Sequence, residues 1–416
     1  MNTRLSKSLT LFLPGLFLLG FNIGTGSVTS MAKAGALYGS SLLWTIALSC
    51  MATYLLLAAY GRFTLVTGET ALSAFRKHIH PAVGLFFILA LSAGVSGSVM
   101  GVMGIVAQIG YQWSKGFVDG GVQPIWFAGF FVGLVYFIFW KGTTEFFQRA
   151  LAVIVAIMAA CFVLNFFILL PPLADLGAGL IPSLPQVPLD AGRGPFLVIA
   201  SMVGTTVFSG LFILRTTLLK EAGWTLNDMS KQRNDARVAA IMMFVISASI
   251  MAAAAGSLHV AGIGLTHSAQ MIDLLEPLAG PLAATIFALG IVAAGVSSQL
   301  PNVLMLPWLL CDYNQSPRDM TLPRYRVMVL GISLLGLVVP IFDAPPVLVM
   351  IVSQAFNAVI LPVTVGCILY LSNRHDLMGE HRNTGAANVG LVLILLFSLV
   401  TTYMGIQGVW QMVAER

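Results

Sequence analysis

Two stretches of the chain set glycine and hydroxyl residues inside otherwise apolar segments: Gly20-Phe21-Asn22-Ile23-Gly24-Thr25-Gly26-Ser27-Val28-Thr29-Ser30 and Val203-Gly204-Thr205-Thr206-Val207-Phe208-Ser209-Gly210. Such a composition suits either close helix packing through small residues or a break in a helix that lines a cavity. A broken helix offers unpaired N–H and C=O groups to a ligand, so the chemistry at hand is non-covalent recognition. The candidate binding residues are Asn22, Gly24, Thr25, Gly26 and Ser27 in the first stretch, and Thr205, Thr206, Phe208, Ser209 and Gly210 in the second. Phe208 is expected to form an apolar wall. Gln354 and Asn357, in a later apolar segment, serve either the same lining or helix–helix hydrogen bonds. Two cations, Lys33 and Arg215, follow the two stretches. Charges within apolar segments are functional candidates by default, although Lys33 can instead snorkel to the outer surface and Arg215 can pair with Glu221 or a loop acid.

Catalytic chemistry finds no support. The chain has no phosphate-cradling glycine loop followed by Lys-Ser/Thr, no His-Glu-x-x-His and no Gly-x-Ser-x-Gly elbow. Cys50, Cys161, Cys311 and Cys367 lack metal-ligand spacing and read as small apolar residues in spans. No catalytic residue, no confident metal ligand and no cofactor is expected.

The elements that must position these residues are set by composition. Of 416 residues, 58% are hydrophobic and 9% charged, and the mean hydropathy is +0.91. A water-soluble globule carries about a quarter of its residues charged, so this chain belongs in lipid. Eleven segments match the roughly 20 residues that a helix needs to cross a bilayer. They lie near 8–36, 41–61, 82–113, 123–140, 146–171, 196–220, 237–262, 279–311, 326–343, 345–372 and 387–409. With the N-terminus in the cytoplasm, only Lys115, Arg193 and Arg416 of the 21 Lys and Arg fall outside, and only Lys33 and Arg215 within spans. That bias fits the positive-inside rule, places the C-terminus outside, and explains a pI near 9.1 without a nucleic-acid partner. The expected location is the plasma (inner) membrane. The outer loop near 172–195 is rich in Pro and Gly and is expected to be irregular.

The two glycine-rich stretches fall in spans one and six, the first members of two five-span halves. An odd number of spans per half forces opposite insertion, so the expected fold is all-α, a single transmembrane domain. Repeat one runs over about 8–171, repeat two over about 196–372, and an additional helix over about 387–409. Interrupted segments at matching positions of two inverted halves point to a midplane substrate site.

At these residues the chain resembles the NRAMP divalent-metal transporter family. The resemblance runs through Ala34-Gly35-Ala36-Leu37-Tyr38-Gly39, Leu65-Val66-Thr67-Gly68-Glu69-Thr70-Ala71-Leu72, Leu274-Leu275-Glu276-Pro277-Leu278-Ala279-Gly280-Pro281, Ala294-Gly295-Val296-Ser297-Ser298, Val352-Ser353-Gln354 and Leu377-Met378-Gly379-Glu380. It implies a LeuT-type 5+5 inverted repeat with broken helices 1 and 6, and secondary active transport by alternating access. The family's metal site does not carry over. Its Asp-Pro-Gly-Asn falls on Gly24-Thr25-Gly26-Ser27, its Met-Pro-His on Phe208-Ser209-Gly210, a later histidine on Arg215, and its span-ten glutamine on Ile360. The acids that the family uses for proton passage in span three have no counterpart between Ser92 and Met103.

All 16 acidic residues read as lying in loops or at span ends, which leaves no carboxylate for a midplane metal. A hard divalent cation normally takes carboxylate oxygens, whereas Gly24-Thr25-Gly26-Ser27 at a half-helix N-terminus suits an anion. The expected substrate is therefore a small carboxylate-bearing organic solute. The alternative is a divalent metal bound in a remodelled neutral site, and a more distant one is a membrane sensor or enzyme. The coupling ion is left between H+ and Na+, the latter on oxygens near Ser27, Ser297 or Ser298. Expected partners are the small-molecule or ion substrate and the bilayer, with a monomer sufficient.

Overall fold

A computed structural model describes residues 22, 24–141, 160, 163–164, 167, 173–185, 194–267, 270 and 281–414. Most of the expected spans five and one, together with Cys161, lies outside the described residues. The regular structure described is helical, with no strand among the described residues.

Helix α1 (Thr25–Tyr38) leads through a tight turn to α2 (Leu43–Thr67), which ends on Gly68 in the left-handed region (φ 69°). Glycine adopts that conformation without a Cβ penalty and closes the helix. A short α3 (Ala71–Ala74) runs on as a wide turn to Ile79, and α4 (Pro81–Ser114) starts with proline at its first position, where no N–H is needed. Next come α5 (Pro124–Lys141), α6 (Leu173–Gly179), α7 (Phe196–Thr206), α8 (Ser209–Glu221) and α9 (Met229–Ala254). The chain finishes with α10 (Pro281–Asn314), α11 (Pro323–Leu334), α12 (Val338–Phe342), α13 (Pro346–Asn373), α14 (His375–Met378) and α15 (Gly385–Ala414). Eight helical segments among the described residues are long and apolar enough to cross a membrane.

The α7–α8 segment is the buried axis, packed along α13 and α15, with α1, α2 and α9 on another side. Small residues permit these close approaches. A Cβ on Gly204 would lie 1.8 Å from the Gln354 carbonyl oxygen, and one on Gly35 would lie 2.2 Å from the Met251 carbonyl oxygen. The outer surfaces of α5 and α15 expose Trp126, Phe130, Phe137, Leu393, Leu396 and Tyr403, which suits contact with lipid.

Two expectations change here. The segment near 172–195 is not wholly irregular, since α6 forms and docks on the α1–α2 turn, where Trp44 donates to the Ser183 carbonyl at 3.1 Å. The seventh span starts at Met229 rather than near residue 237, because polar Gln232 and Asp235 are internally satisfied and enter the helix buried.

Loops gather on two faces. One holds the α1–α2 turn and residues 261–265. The other, the basic face, holds Lys77, Arg374 and Arg318, with Glu221 bonded to Arg318 at 3.0 Å. There Glu69, in the turn after α2, takes bonds from Lys77 and His78, each 2.9 Å. Burial pushes its carboxyl up, but these bonds and the Lys77 and His78 charges outweigh that and hold it below its ordinary value.

Candidate substrate site at the two helix breaks

The first break lies at the start of α1. Gly24 is extended (φ −107°, ψ −169°) and has no side chain to cap the helix, whose first internal bond runs from the Val28 N–H to the Gly24 carbonyl at 3.1 Å. The N–H groups of Thr25, Gly26 and Ser27 therefore have no partner within the helix. The break was expected over Gly24–Ser27, yet the backbone is already helical from Thr25. Gly26 is needed for packing instead: a Cβ there would stand 2.7 Å from Gln354 Nε2 and 3.2 Å from Met350 Sδ.

The second break falls at Val207 (φ −106°, ψ 53°) and Phe208 (φ −72°, ψ 118°), one to two residues before the expected Phe208–Gly210. In a continuous helix the Thr206 carbonyl would accept from Gly210. Here it accepts from Asn22 Nδ2 at 3.1 Å and from Thr53 Oγ1 at 2.9 Å, so both its lone pairs are used and the two breaks are tied together. The Phe208 ring lies over Gly210, where a Cβ would be 2.6 Å from it, and covers the start of α8. Of the two half-helix starts, the one opening α1 faces the cavity.

That cavity measures about 40 Å3, counted as space for the centres of water-sized spheres. It lies between the breaks, α4, α10 and α13, and takes about three water molecules. Asn22, Gly24, Gly26, Ser27, Thr205, Phe208, Gln354 and Asn357 line it, joined by Val95, Ser98, Val102, Ser298 and Asn302. No carboxylate, histidine or cysteine lines it, and no group of three or more such residues able to hold a metal occurs among the described residues.

Gln354 serves both roles left open for it. It lines the cavity and donates to Ser98 Oγ on α4 at 3.2 Å, while its Oε1 accepts from Asn357 Nδ2 at 3.3 Å. The other four expected residues fall behind the wall. Thr206 Oγ1 donates to the Met202 carbonyl at 2.8 Å, and Ser209 Oγ accepts from Thr364 at 2.7 Å. Thr25 Oγ1 faces Gly295, and Gly210 lies under the Phe208 ring. Ser298 lines the cavity, whereas Ser297 is outside the lining and donates to the Ala294 carbonyl at 3.0 Å. Asn302, not anticipated, carried a readable signal as an amide within an apolar span. Ser98 and the two valines carried none beyond their place in α4.

Both charged candidates lie away from the cavity. Lys33 Nζ donates to the carbonyls of Gly264 and Leu265, at 3.1 and 2.8 Å, on the face opposite the basic one. Arg215 is fully buried and forms an ion pair with Asp235, while its second terminal nitrogen reaches the Gln232 carbonyl at 3.4 Å. Its acid is thus Asp235, not Glu221. Asp235, read from the sequence as an acid in a loop or at a span end, lies in the second turn of α9 and is buried there because Arg215 compensates it.

The chain was compared with known proteins. The family model described as natural resistance-associated macrophage protein-like matches residues 15–407. A divalent metal cation transporter MntH of Klebsiella pneumoniae is 24% identical over 391 residues, 90% of this chain and 88% of the relative. A second, from Acidiphilium cryptum, is 25% identical over 92% of this chain and 88% of the relative. A mutant of the Eremococcus coleocola manganese transporter superposes with a TM-score of 0.78 at 16% identity, covering 99% of this chain and 90% of that one. MhsT in complex with L-phenylalanine superposes at 0.65 and 13% identity, covering 96% and 98%. The match over nearly the whole length, on a fold with two broken helices, makes this chain an integral membrane transporter of the Nramp family.

Proposed function

We propose that the protein is a secondary transporter of a small carboxylate-bearing organic solute, moved by alternating access around the cavity between Gly24 and Phe208. The carrying observation is the pairing of N–H groups without an intrahelical partner at the start of α1 with a lining that contains no acid among the described residues. An anion is stabilised where unpaired N–H groups and the positive end of the helix dipole meet it. The small cavity favours a solute of a few heavy atoms. In this reading the basic face lies in the cytoplasm of a plasma membrane, with the N-terminus inside and the C-terminus outside.

The second reading, a divalent metal in a remodelled neutral site, is favoured by the names of the sequence relatives. Purified protein in liposomes separates the two. Uptake of labelled two- or three-carbon carboxylates, driven by an imposed H+ or Na+ gradient and without Mn2+ or Cd2+ uptake, is the expected result. Metal uptake with no carboxylate uptake would refute the proposal. The same gradients identify the coupling ion.

A further inference from the structure

On the basic face, α2, α9 and the start of α15 enclose a second cavity of about 160 Å3, measured as the first was. Arg62 and Arg233 both line it, and no carboxylate does among the described residues. Arg62 is held in place by a bond to Asn383 Oδ1, and Asn383 is itself fixed by its N–H to the Ser372 carbonyl at 3.0 Å and its amide to Asn388 at 2.8 Å. Arg62 Nε is buried with no hydrogen-bond partner among the described residues. Asp235, two residues beyond Arg233, is taken by Arg215. Two guanidinium groups thus share a cleft whose walls supply no countercharge, an arrangement that an anion from outside completes.

The remaining wall identifies the source of that anion. Leu55, Met229 and Leu391 form an apolar side, and one turn from Leu55 along the same face of α2 stands the exposed Met51. A phosphate seated on the arginines would leave its acyl chains along that surface, and basic pockets between membrane helices hold anionic lipid headgroups in this way. We infer that this cleft binds the phosphate of an anionic phospholipid and ties α15 to the α2 and α9 ends. It is separate from the substrate cavity.

The test uses the full-length protein in a neutral detergent, with thermal unfolding followed during titration with dioctanoyl phosphatidylglycerol, dioctanoyl phosphatidylcholine or inorganic phosphate. Phosphatidylglycerol is expected to raise the unfolding temperature saturably, and the other two to leave it unchanged over the same range. Arg62→Gln with Arg233→Gln should weaken the apparent affinity roughly 30-fold, and Arg233→Gln alone about fivefold. Arg233 is exposed, so its single variant is the one expected to fold unaltered. Arg324→Gln, at the exposed start of α11, should bind as the wild type does. An equal shift with phosphatidylcholine or with phosphate would overturn the inference, as would unchanged phosphatidylglycerol affinity in Arg233→Gln.

Discussion

Replacing Gly24 with Asp reads the sign of the substrate cavity. The backbone at Gly24 (φ −107°, ψ −169°) lies in a region open to any L-residue, so the change brings no left-handed strain. Gly24 is also the N-cap of α1, where an aspartate accepts from the N–H groups of Gly26 or Ser27 and adds a few tenths of a kcal/mol of stability over glycine. Those are the donors offered to a ligand carboxylate, which would lose them and meet a like charge as well. A cavity of about 40 Å3 corresponds to a sphere of roughly 2 Å radius, so a ligand charge lies within about 5 Å of any lining side chain. At an effective dielectric of about 20, the repulsion is about 3 kcal/mol, more than a hundredfold in affinity. For a divalent cation the same carboxylate attracts by about twice that amount. Proteoliposome uptake of a labelled carboxylate should fall below detection in Gly24→Asp while its unfolding temperature in detergent rises. Gly24→Asn caps the helix without the charge and should keep more activity. A monodisperse Gly24→Asp protein that takes up Mn2+ faster than the wild type would refute the anion reading.

The remaining predictions concern the parts that hold this cavity. Arg215→Met leaves Asp235 buried without its partner and should cost about 3–5 kcal/mol, seen as a lowered unfolding temperature. Arg215→Met with Asp235→Leu should recover most of that loss and leave the KM for uptake unchanged, because the pair is outside the lining. Asn22→Ala keeps one bond to the Thr206 carbonyl and should cost about 1 kcal/mol, whereas Asn22→Ala with Thr53→Val orphans the carbonyl and should cost about 1–3 kcal/mol more. Gly204→Ala drives a methyl into the Gln354 carbonyl and should destabilise by at least 1–3 kcal/mol, read as lost monodispersity or a lower unfolding temperature. Glu69→Gln should flatten acid sensitivity: the folded-state pKa lies below the ordinary 4.5, so Glu69 stabilises fully above that pH and loses its contribution as pH falls below it.

The spans and the two breaks are legible in the sequence because hydropathy needs only a run of apolar residues, and the glycines stand where a run is interrupted. Which side chains face inward is less legible. Thr205 lines the cavity and Thr206 does not, a difference of one residue and about 100° of helix rotation. Reading that phase requires knowing where the helix stops, and the polar run from Val203 to Gly210 leaves that point open by several residues. Arg215 and Asp235 show a different limit. Arg215 looks out of place in an apolar span and Asp235 reads as an acid outside one, and their partnership becomes visible only once the turn between α8 and α9 folds them together. A hydropathy window starts the seventh span after Asp235 for the same reason, since it counts the charge but not its neutralisation. Val95, Ser98 and Val102 reach the cavity through the tilt of α4, which no local pattern encodes.

Two broken helices expose backbone groups of both signs, N–H at each restart and C=O at each interruption, so the architecture alone selects neither anion nor cation. The selection comes from which of these groups the protein's own side chains consume. On the carbonyl side, Thr206 accepts from Asn22 and Thr53, and Gly24 accepts from the Val28 N–H. On the donor side, the ring of Phe208 covers the start of α8, and no capping side chain reaches the start of α1. What stays open toward the cavity is thus the positive end of one half-helix, edged by neutral amides and hydroxyls. A divalent ion entering here would find the Thr206 carbonyl already taken by Asn22 and Thr53, while an anion would meet the Gly26 and Ser27 N–H groups, which have no partner within the helix. The side chain of Asn22 accordingly does two things at once: it ties span one to span six, and it occupies a carbonyl that the break in span six leaves without its intrahelical partner.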